Sequence, residues 1–201
     1  MLLMGMPESP VISNHAHPTP GLLPGIGFKE WALVCDSMLR GETSLIFRKG
    51  GIAEGRQGFR FKHSQFFLFP TYFHEQISQT RLDPSRDLEP QTERIPIEAF
   101  ARVEFTVWIS ELKQVEPLSE FHILRPELIE KRFNQDEVKG LHLAFVRIFR
   151  VLPAWQLTFQ RSFGGCRSWI DLPVPSLDLE CRPVLSDEEH ERRRECVKSL
   201  R

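Results

Sequence analysis

The stretch GLHLAFVRIFRVL, residues 140–152, constrains the fold more than any other part of this chain. Apolar side chains stand at successive positions, so a strand formed here would be buried on both faces, as in the middle of a sheet. Arg147 and Arg150 are the exceptions, and an arginine in a central strand must find a partner or face a cavity. The stretch therefore predicts a sheet with this segment at its centre.

Other segments predict the neighbouring strands. In ARVEFTVWIS, residues 101–110, apolar and polar residues alternate, which predicts a strand with one buried side. Shorter apolar runs bounded by glycine or proline predict four more strands. These are TSLIFRK (43–49), FRF (59–61), FFLF (66–69) and CRSWIDL (166–172).

An amphipathic helix is predicted at the start of the ordered chain, from Phe28 to Leu39. Its apolar residues recur at helical spacing, and Gly41 ends it. Lys29 and Glu30 fall on the outer face of this predicted helix.

Two more helices complete the expected fold. RPELIEKRFN places Arg132 on one stripe with three apolar residues, and SDEEHERRREC begins with Ser186 as an N-cap. The fold class predicted is α+β: a mixed or mostly antiparallel sheet, able to curl toward a barrel, with the N-terminal helix packed across it.

Composition sets the domain organisation. With 201 residues, 41% of them hydrophobic, the chain can bury one good core. Residues 1–27 are rich in proline and glycine and predict a disordered arm. We expect a single globular domain over residues 28–172, followed by an extended strap and a C-terminal helix over residues 173–201.

Several function classes are excluded by missing motifs. The four cysteines form no C-x-x-C pair, so neither a zinc ribbon nor a redox motif is indicated, and no cofactor is predicted. The chain has no basic-flanked signal peptide and no run of roughly 20 apolar residues, which predicts a cytoplasmic protein without membrane contact. The net charge of −1 excludes overall basicity as a route to nucleic acid, so such binding would need a local patch.

One such patch is the segment RKGGIAEGRQGFRFKH, residues 48–63. The segment contains five basic residues and one acidic residue, Glu54, which gives it a net charge of about +4. Four glycines keep the backbone accessible, and two phenylalanines alternate with the bases, a pattern suited to phosphate or single-stranded nucleic acid. The predicted ligand-binding residues are Arg48, Lys49, Gly50, Gly51 and Arg60. The alternative is a basic hairpin loop on the surface; a P-loop is excluded because no G-x-x-x-x-G-K-[ST] is present.

A second candidate is the pair His74–Glu75, which follows the phenylalanine run and Pro70. Thr71 as N-cap and Glu75 in the first turn would explain half of the motif as the start of a helix. His74 remains, either as a structural residue or as part of a pocket shared with the basic segment. A zincin is excluded because Ser78 stands where H-E-x-x-H needs its second histidine, and no metal site is predicted.

Five motifs in order carry a resemblance to a known family. They are FKEWA, RKGGI, LFPTYFHEQ, KGLHLAFVRIFRV and GGCRSW. Together they resemble a bacterial family labelled domain of unknown function 1802, over roughly residues 28–172, which carries no established activity. The segment SMLRGETSLIFRK is also similar to the opening of ASCH and related PUA-like β-barrels, and this similarity implies binding of RNA or modified nucleotides.

Three functions follow as hypotheses. The leading one is a small binding module for a phosphate-bearing ligand, either a nucleotide or single-stranded nucleic acid. The enzyme alternative is a hydrolase or nuclease with His74, Glu75 and Glu54 as catalytic residues. The third is a protein-interaction subunit that docks an unknown partner through residues 173–201.

Overall fold

The computed structural model describes residues 23–49, 59–90, 93–175 and 178–199. Gly50, Gly51, Glu54 and most of the N-terminal arm lie outside these residues. The strands are β1 (Ile26–Trp31), β2 (Leu45–Arg48), β3 (Gln65–Thr71), β4 (Arg94–Ile109), β5 (Leu141–Thr158), β6 (Trp169–Asp171) and β7 (Glu180–Pro183). The α-helices are α1 (Ala32–Leu39), α2 (Pro126–Phe133) and α3 (Asp187–Lys198).

The strands form one sheet in the order β2-β5-β4-β3-β1-β6, with β7 paired to β5. β1 and β3 run parallel, and the other pairs are antiparallel. β5 is hydrogen-bonded to β2, β4 and β7, so the central position predicted for residues 140–152 is confirmed.

The sheet curls until its two sides meet. The β4–β5 register shifts between Ile97 and Ala99 and again between Val103 and Phe105, and such bulges bend and twist a sheet. As a result Arg48, at the end of β2, contacts β1, although three other strands separate β2 from β1 in the sheet. The predicted fold class is confirmed: an α+β protein with a mixed, mostly antiparallel sheet curled into a half-barrel.

The core has two parts, one on each side of the sheet. Phe28, Phe66 and Phe145 belong to the larger cluster, which α1 joins through Met38. The smaller cluster includes Phe67, Phe100, Phe149 and Trp155. Phenylalanine suits both clusters because its ring has no polar group that would need a partner.

The predicted helix at Phe28 is wrong in its first turn. Phe28–Trp31 is part of β1 and pairs in parallel with β3, and the helix begins at Ala32. Pairing with a strand far along the chain outweighs the local helical spacing of the apolar residues.

Two neighbouring predictions also need correction. No strand is assigned at residues 59–61; instead, Phe59 is buried beside Phe28. Thr71 does not cap a helix: it ends β3, and its hydroxyl donates to the Glu30 carbonyl. The chain after it forms a turn and the short 3₁₀ helix Ile77–Gln79.

The C-terminal segment packs on the same sheet. β7 extends the sheet beside β5, and α3 has Ser186 as its N-cap, whose side chain accepts from the Glu189 N–H as predicted. Val197 is fully buried, and Arg193 donates to the Ser44 hydroxyl at 3.1 Å. Within the described residues, none of the helices has the length and apolar character needed to cross a membrane.

Candidate anion-binding site

Arg48 closes the half-barrel and forms the centre of the candidate site. Its guanidinium donates to the Lys29 carbonyl at 2.6 Å and pairs with the Glu30 carboxylate at 3.1 Å. The same group lies over the Phe28 ring, 4.7 Å from its centroid. Because the side chains of Arg48 and Glu30 are 17% and 4% exposed, the pair is largely shielded from water.

The end of β1 is held in place by the turn after β3. Thr71 donates to the Glu30 carbonyl at 3.0 Å. The Gln76 amide accepts from the Leu33 N–H at 3.3 Å and donates to the Thr71 carbonyl. These bonds fix the backbone at and after Glu30, and the Trp31 N–H donates to the Glu30 carboxylate at 2.8 Å, which orients it.

Arg132, on α2, brings a second guanidinium to the same place. It donates to the Phe47 carbonyl at 3.5 Å and lies over Trp31, 4.8 Å from the ring centroid. Burial and then repulsion from Arg48 lower the pKa of Arg132 to about 10, against the opposing effect of Glu30. Arg132 therefore remains charged at neutral pH, but its charge is not fully compensated by its surroundings.

The cluster formed by Glu30, Arg48 and Arg132, called here the arginine cluster, has an excess of positive charge. The buried Glu30 carboxylate pairs with Arg48, and Arg132 forms no ion pair among the described residues. Charge interactions are stronger where water is excluded, so an anion entering beside the two arginines would be stabilised more than at the open surface. Guanidinium groups also match carboxylate and phosphate oxygens in geometry.

A small cavity, lined by both polar and apolar residues, adjoins the arginine cluster. Glu30, Thr43, His122 and Arg132 help to line it, and about 10 Å³ is open to the centre of a water molecule, the size of one water. Thr43 is 2% exposed, and its hydroxyl has no hydrogen-bond partner among the described residues. His122 Nδ1 accepts from the Leu124 N–H at 3.1 Å.

Acid should destabilise the fold through His122. Burial first, and then the charge of Arg81, lower the pKa of His122 to about 4 from its ordinary value of 6.5. Between pH 6.5 and pH 4 the unfolded chain is therefore protonated at His122 while the folded protein is not. The free energy of unfolding falls as the pH is lowered through this range. At about 1.4 kcal/mol for each pKa unit, the loss is on the order of 3 kcal/mol.

The variant His122→Asn, whose amide oxygen can still accept from Leu124, should remove this part of the acid sensitivity in urea unfolding between pH 7 and pH 4. His74→Asn is the control because His74 is exposed. His190, whose pKa burial also lowers to about 4, keeps its own contribution in both variants. Equal pH dependence in the His122 variant and the wild type would contradict the assignment.

The residues predicted to bind a ligand lie in different environments. Arg48 lies in the arginine cluster. The Lys49 ammonium is buried and donates to the Val138 and Gly140 carbonyls, and Arg60 is exposed. Gly50 and Gly51 lie outside the described residues.

The residues of the enzyme alternative are not brought together in the described part of the chain. His74 and Glu75 are both exposed in the turn after β3, and Glu54 lies outside the described residues. Among the described contacts, none joins the His74 imidazole to a carboxylate. The catalytic pairing stays a prediction.

Two members of the arginine cluster were missed by reasoning from the sequence. Glu30 was placed on the outer face of a helix, whereas the strand turns it inward to Arg48. Arg132 carried a signal, because it shares a stripe with Leu128, Ile129 and Phe133, all three of which are buried. An arginine on an apolar stripe needs a specific partner.

These features define a small α+β half-barrel protein in which an arginine–carboxylate pair joins β2 to β1, with a second arginine beside it. The chain belongs to the family described as domain of unknown function DUF1802, whose model matches residues 27–196. No match was found among curated proteins.

Solved structures with some likeness come from the ASCH protein of Zymomonas mobilis. That structure is 11% identical in sequence, covers 87% of this chain and 94% of its own, and has a TM-score of 0.41. A point mutant of the same protein, also 11% identical, covers 74% of this chain and 90% of its own, with a TM-score of 0.45.

Proposed function

We propose that this protein is a binding module for a phosphate-bearing ligand, a nucleotide or a single-stranded nucleic acid, and that the arginine cluster holds the phosphate. The observation that carries the proposal is the charge imbalance: Arg48 pairs with the buried Glu30 carboxylate, and Arg132 beside it has no ion-pair partner among the described residues. A bound phosphate supplies the missing negative charge.

The surroundings of the arginine cluster support this choice of ligand. Arg132 and Arg48 each lie over an aromatic ring, which orients the guanidinium planes while leaving N–H groups to donate. Phosphate accepts two parallel bonds from a guanidinium, so two arginines side by side can hold one phosphate at several oxygens. Binding of this kind weakens as salt is added.

The variant Arg132→Met should weaken binding of short oligonucleotides and nucleoside monophosphates at low salt by at least about tenfold. Methionine keeps the apolar stem over Trp31 but removes the uncompensated charge. Stability should hold or rise, because Glu30 and Arg48 then form a balanced pair and the repulsion between the two arginines is gone. Fluorescence anisotropy measures the binding, and urea unfolding measures the stability.

Lys131→Met is the matched control. Lys131 precedes Arg132 on α2, is exposed and carries the same charge. This variant should change binding far less than Arg132→Met. Equal losses in the two variants would mean that the protein attracts nucleic acid by general charge, and unchanged binding in Arg132→Met would overturn the proposed site.

A further inference from the structure

Resting on this proposed function, we propose that the ligand is single-stranded RNA or DNA several nucleotides long, with bases stacked on two exposed aromatic residues, Trp108 and Phe73. Each of them ends a chain of side-chain contacts, and the two chains together are called here the aromatic row. One chain runs from Arg132 through Trp31 to Phe73, and the other from Arg48 through Phe28, Phe59 and His142 to Trp108. The arginine cluster lies in the middle of the row. Stacking of bases on aromatic rings beside a basic groove is how single strands are bound without regard to sequence.

One end of the aromatic row is Phe73. Its ring is 39% exposed and stands edge-on to Trp31, with centroids 5.0 Å apart. Trp31 in turn lies under the Arg132 guanidinium. Phe73 is therefore an exposed ring two contacts away from a phosphate-binding arginine.

The other half of the aromatic row runs from Arg48 to Trp108. Arg48 lies over Phe28, whose ring is 6.1 Å from that of Phe59. Phe59 is 5.9 Å from His142, and His142 is 4.7 Å from Trp108. Register explains the alignment, because Trp108, His142 and Arg48 are direct partners across β4, β5 and β2 and so project from the same side of the sheet.

Trp108 is exposed but firmly positioned. Its indole is 41% exposed, and the Lys49 ammonium lies 5.6 Å from the ring centroid. Gly140, at φ +143°, packs directly under the ring, where a Cβ atom would collide with it. An exposed indole with a cation on one side and a fitted backbone below is already oriented to accept a base.

The dimensions favour a strand over a mononucleotide. Trp108 and Arg48 are two strands apart, and at about 4.8 Å for each strand spacing this separates their backbones by about 10 Å. Phe73 lies beyond the arginine cluster on the other side. One nucleotide at the arginines cannot reach both exposed rings, whereas a strand of about four nucleotides can extend from one to the other.

The test uses labelled RNA and DNA homopolymers of one, two, four and eight nucleotides, with abasic DNA of eight units as a probe of equal charge without bases. Fluorescence anisotropy at fixed low salt should show affinity rising to about four nucleotides and falling for the abasic strand. In Trp108→Ala, the eight-nucleotide strand should bind about tenfold more weakly. The mononucleotide and the abasic strand should bind as they do to the wild type.

Two further variants are controls for the loss of the Trp108 ring. Trp108→Phe retains a ring and should keep most of the affinity. Phe159→Ala removes a ring that is 48% exposed at the far end of the β4–β5 pair and should change nothing. If Trp108→Ala fails to fold, the wild-type length series and Trp108→Phe still decide the question.

The outcomes also distinguish this inference from the proposed function. Mononucleotide binding at wild-type affinity with no gain from length or bases would overturn the inference and leave the arginine cluster intact as a phosphate site. Absence of binding to every probe, the mononucleotide included, would overturn both. Preference for RNA over DNA, or the reverse, would support the inference and identify which strand is bound.

Discussion

Replacing Arg48 with methionine should lower the free energy of unfolding by about 3 kcal/mol, because it leaves the Glu30 carboxylate buried without its closest cation. Glu30 is 4% exposed, so water cannot take over the role of Arg48. The change also removes the bond to the Lys29 carbonyl that joins β2 to β1. Urea unfolding of the wild type and the variant measures the difference.

The double variant Glu30→Gln with Arg48→Met should recover part of this loss. Removing both charges avoids an unpaired buried charge, and such replacements are often close to neutral. Arg40→Met is the control for an exposed pair, since Arg40 is 59% exposed beside Asp36, and it should cost less than about 1 kcal/mol. A loss below about 1 kcal/mol for Arg48→Met would show that the Glu30 pair does not hold β2 and β1 together.

Ending the chain after Leu172 should abolish cooperative unfolding or lower the free energy of unfolding by about 5 kcal/mol. The truncation removes β7 from its place beside β5, together with α3. Leu179, Cys181 and Val197, each less than 9% exposed, would be lost from the packed interior. At about 1.5–3 kcal/mol for each large buried apolar side chain, the loss is comparable to the 5–15 kcal/mol that stabilises an ordinary domain.

Near-ultraviolet circular dichroism and urea unfolding would measure the effect of the truncation. A chain ended after Ser199 is the control and should behave as the wild type, because β7 and α3 remain. Wild-type stability in the chain ended after Leu172 would contradict the prediction. It would favour residues 173–201 as a separable docking surface for a protein partner.

Much of the sheet follows from local pattern. The central position of β5 is visible in its continuous apolar run, and α2 and α3 are visible in their apolar stripe and N-cap. These features are predictable because the signals lie within a dozen or so neighbouring residues. The N-terminal helix was placed too early because the spacing of Phe28 and Trp31 satisfies a helix locally, while the partner strand β3 lies much later in the chain.

The candidate site was predictable in part. Arg48 stood out because it opens a basic, glycine-rich segment, and the alternation of bases with Phe59 and Phe61 indicated rings beside cations. The structure places Phe28 between these parts, with Phe59 and Phe61 6.1 and 6.0 Å from it. Lys49 belongs to the same segment, but its ammonium is already occupied by two backbone carbonyls.

The sequence by itself determined the class of fold, the central strand and the local surplus of positive charge, because each of these depends on the order of residues within a short window. The tertiary structure alone decided that Glu30 and Arg132 meet Arg48. These three residues come from β1, α2 and β2, and they approach one another because the sheet curls until strands at opposite sides touch. The charge balance of the cluster depends on all three residues coming together, so no single segment of the sequence predicts it.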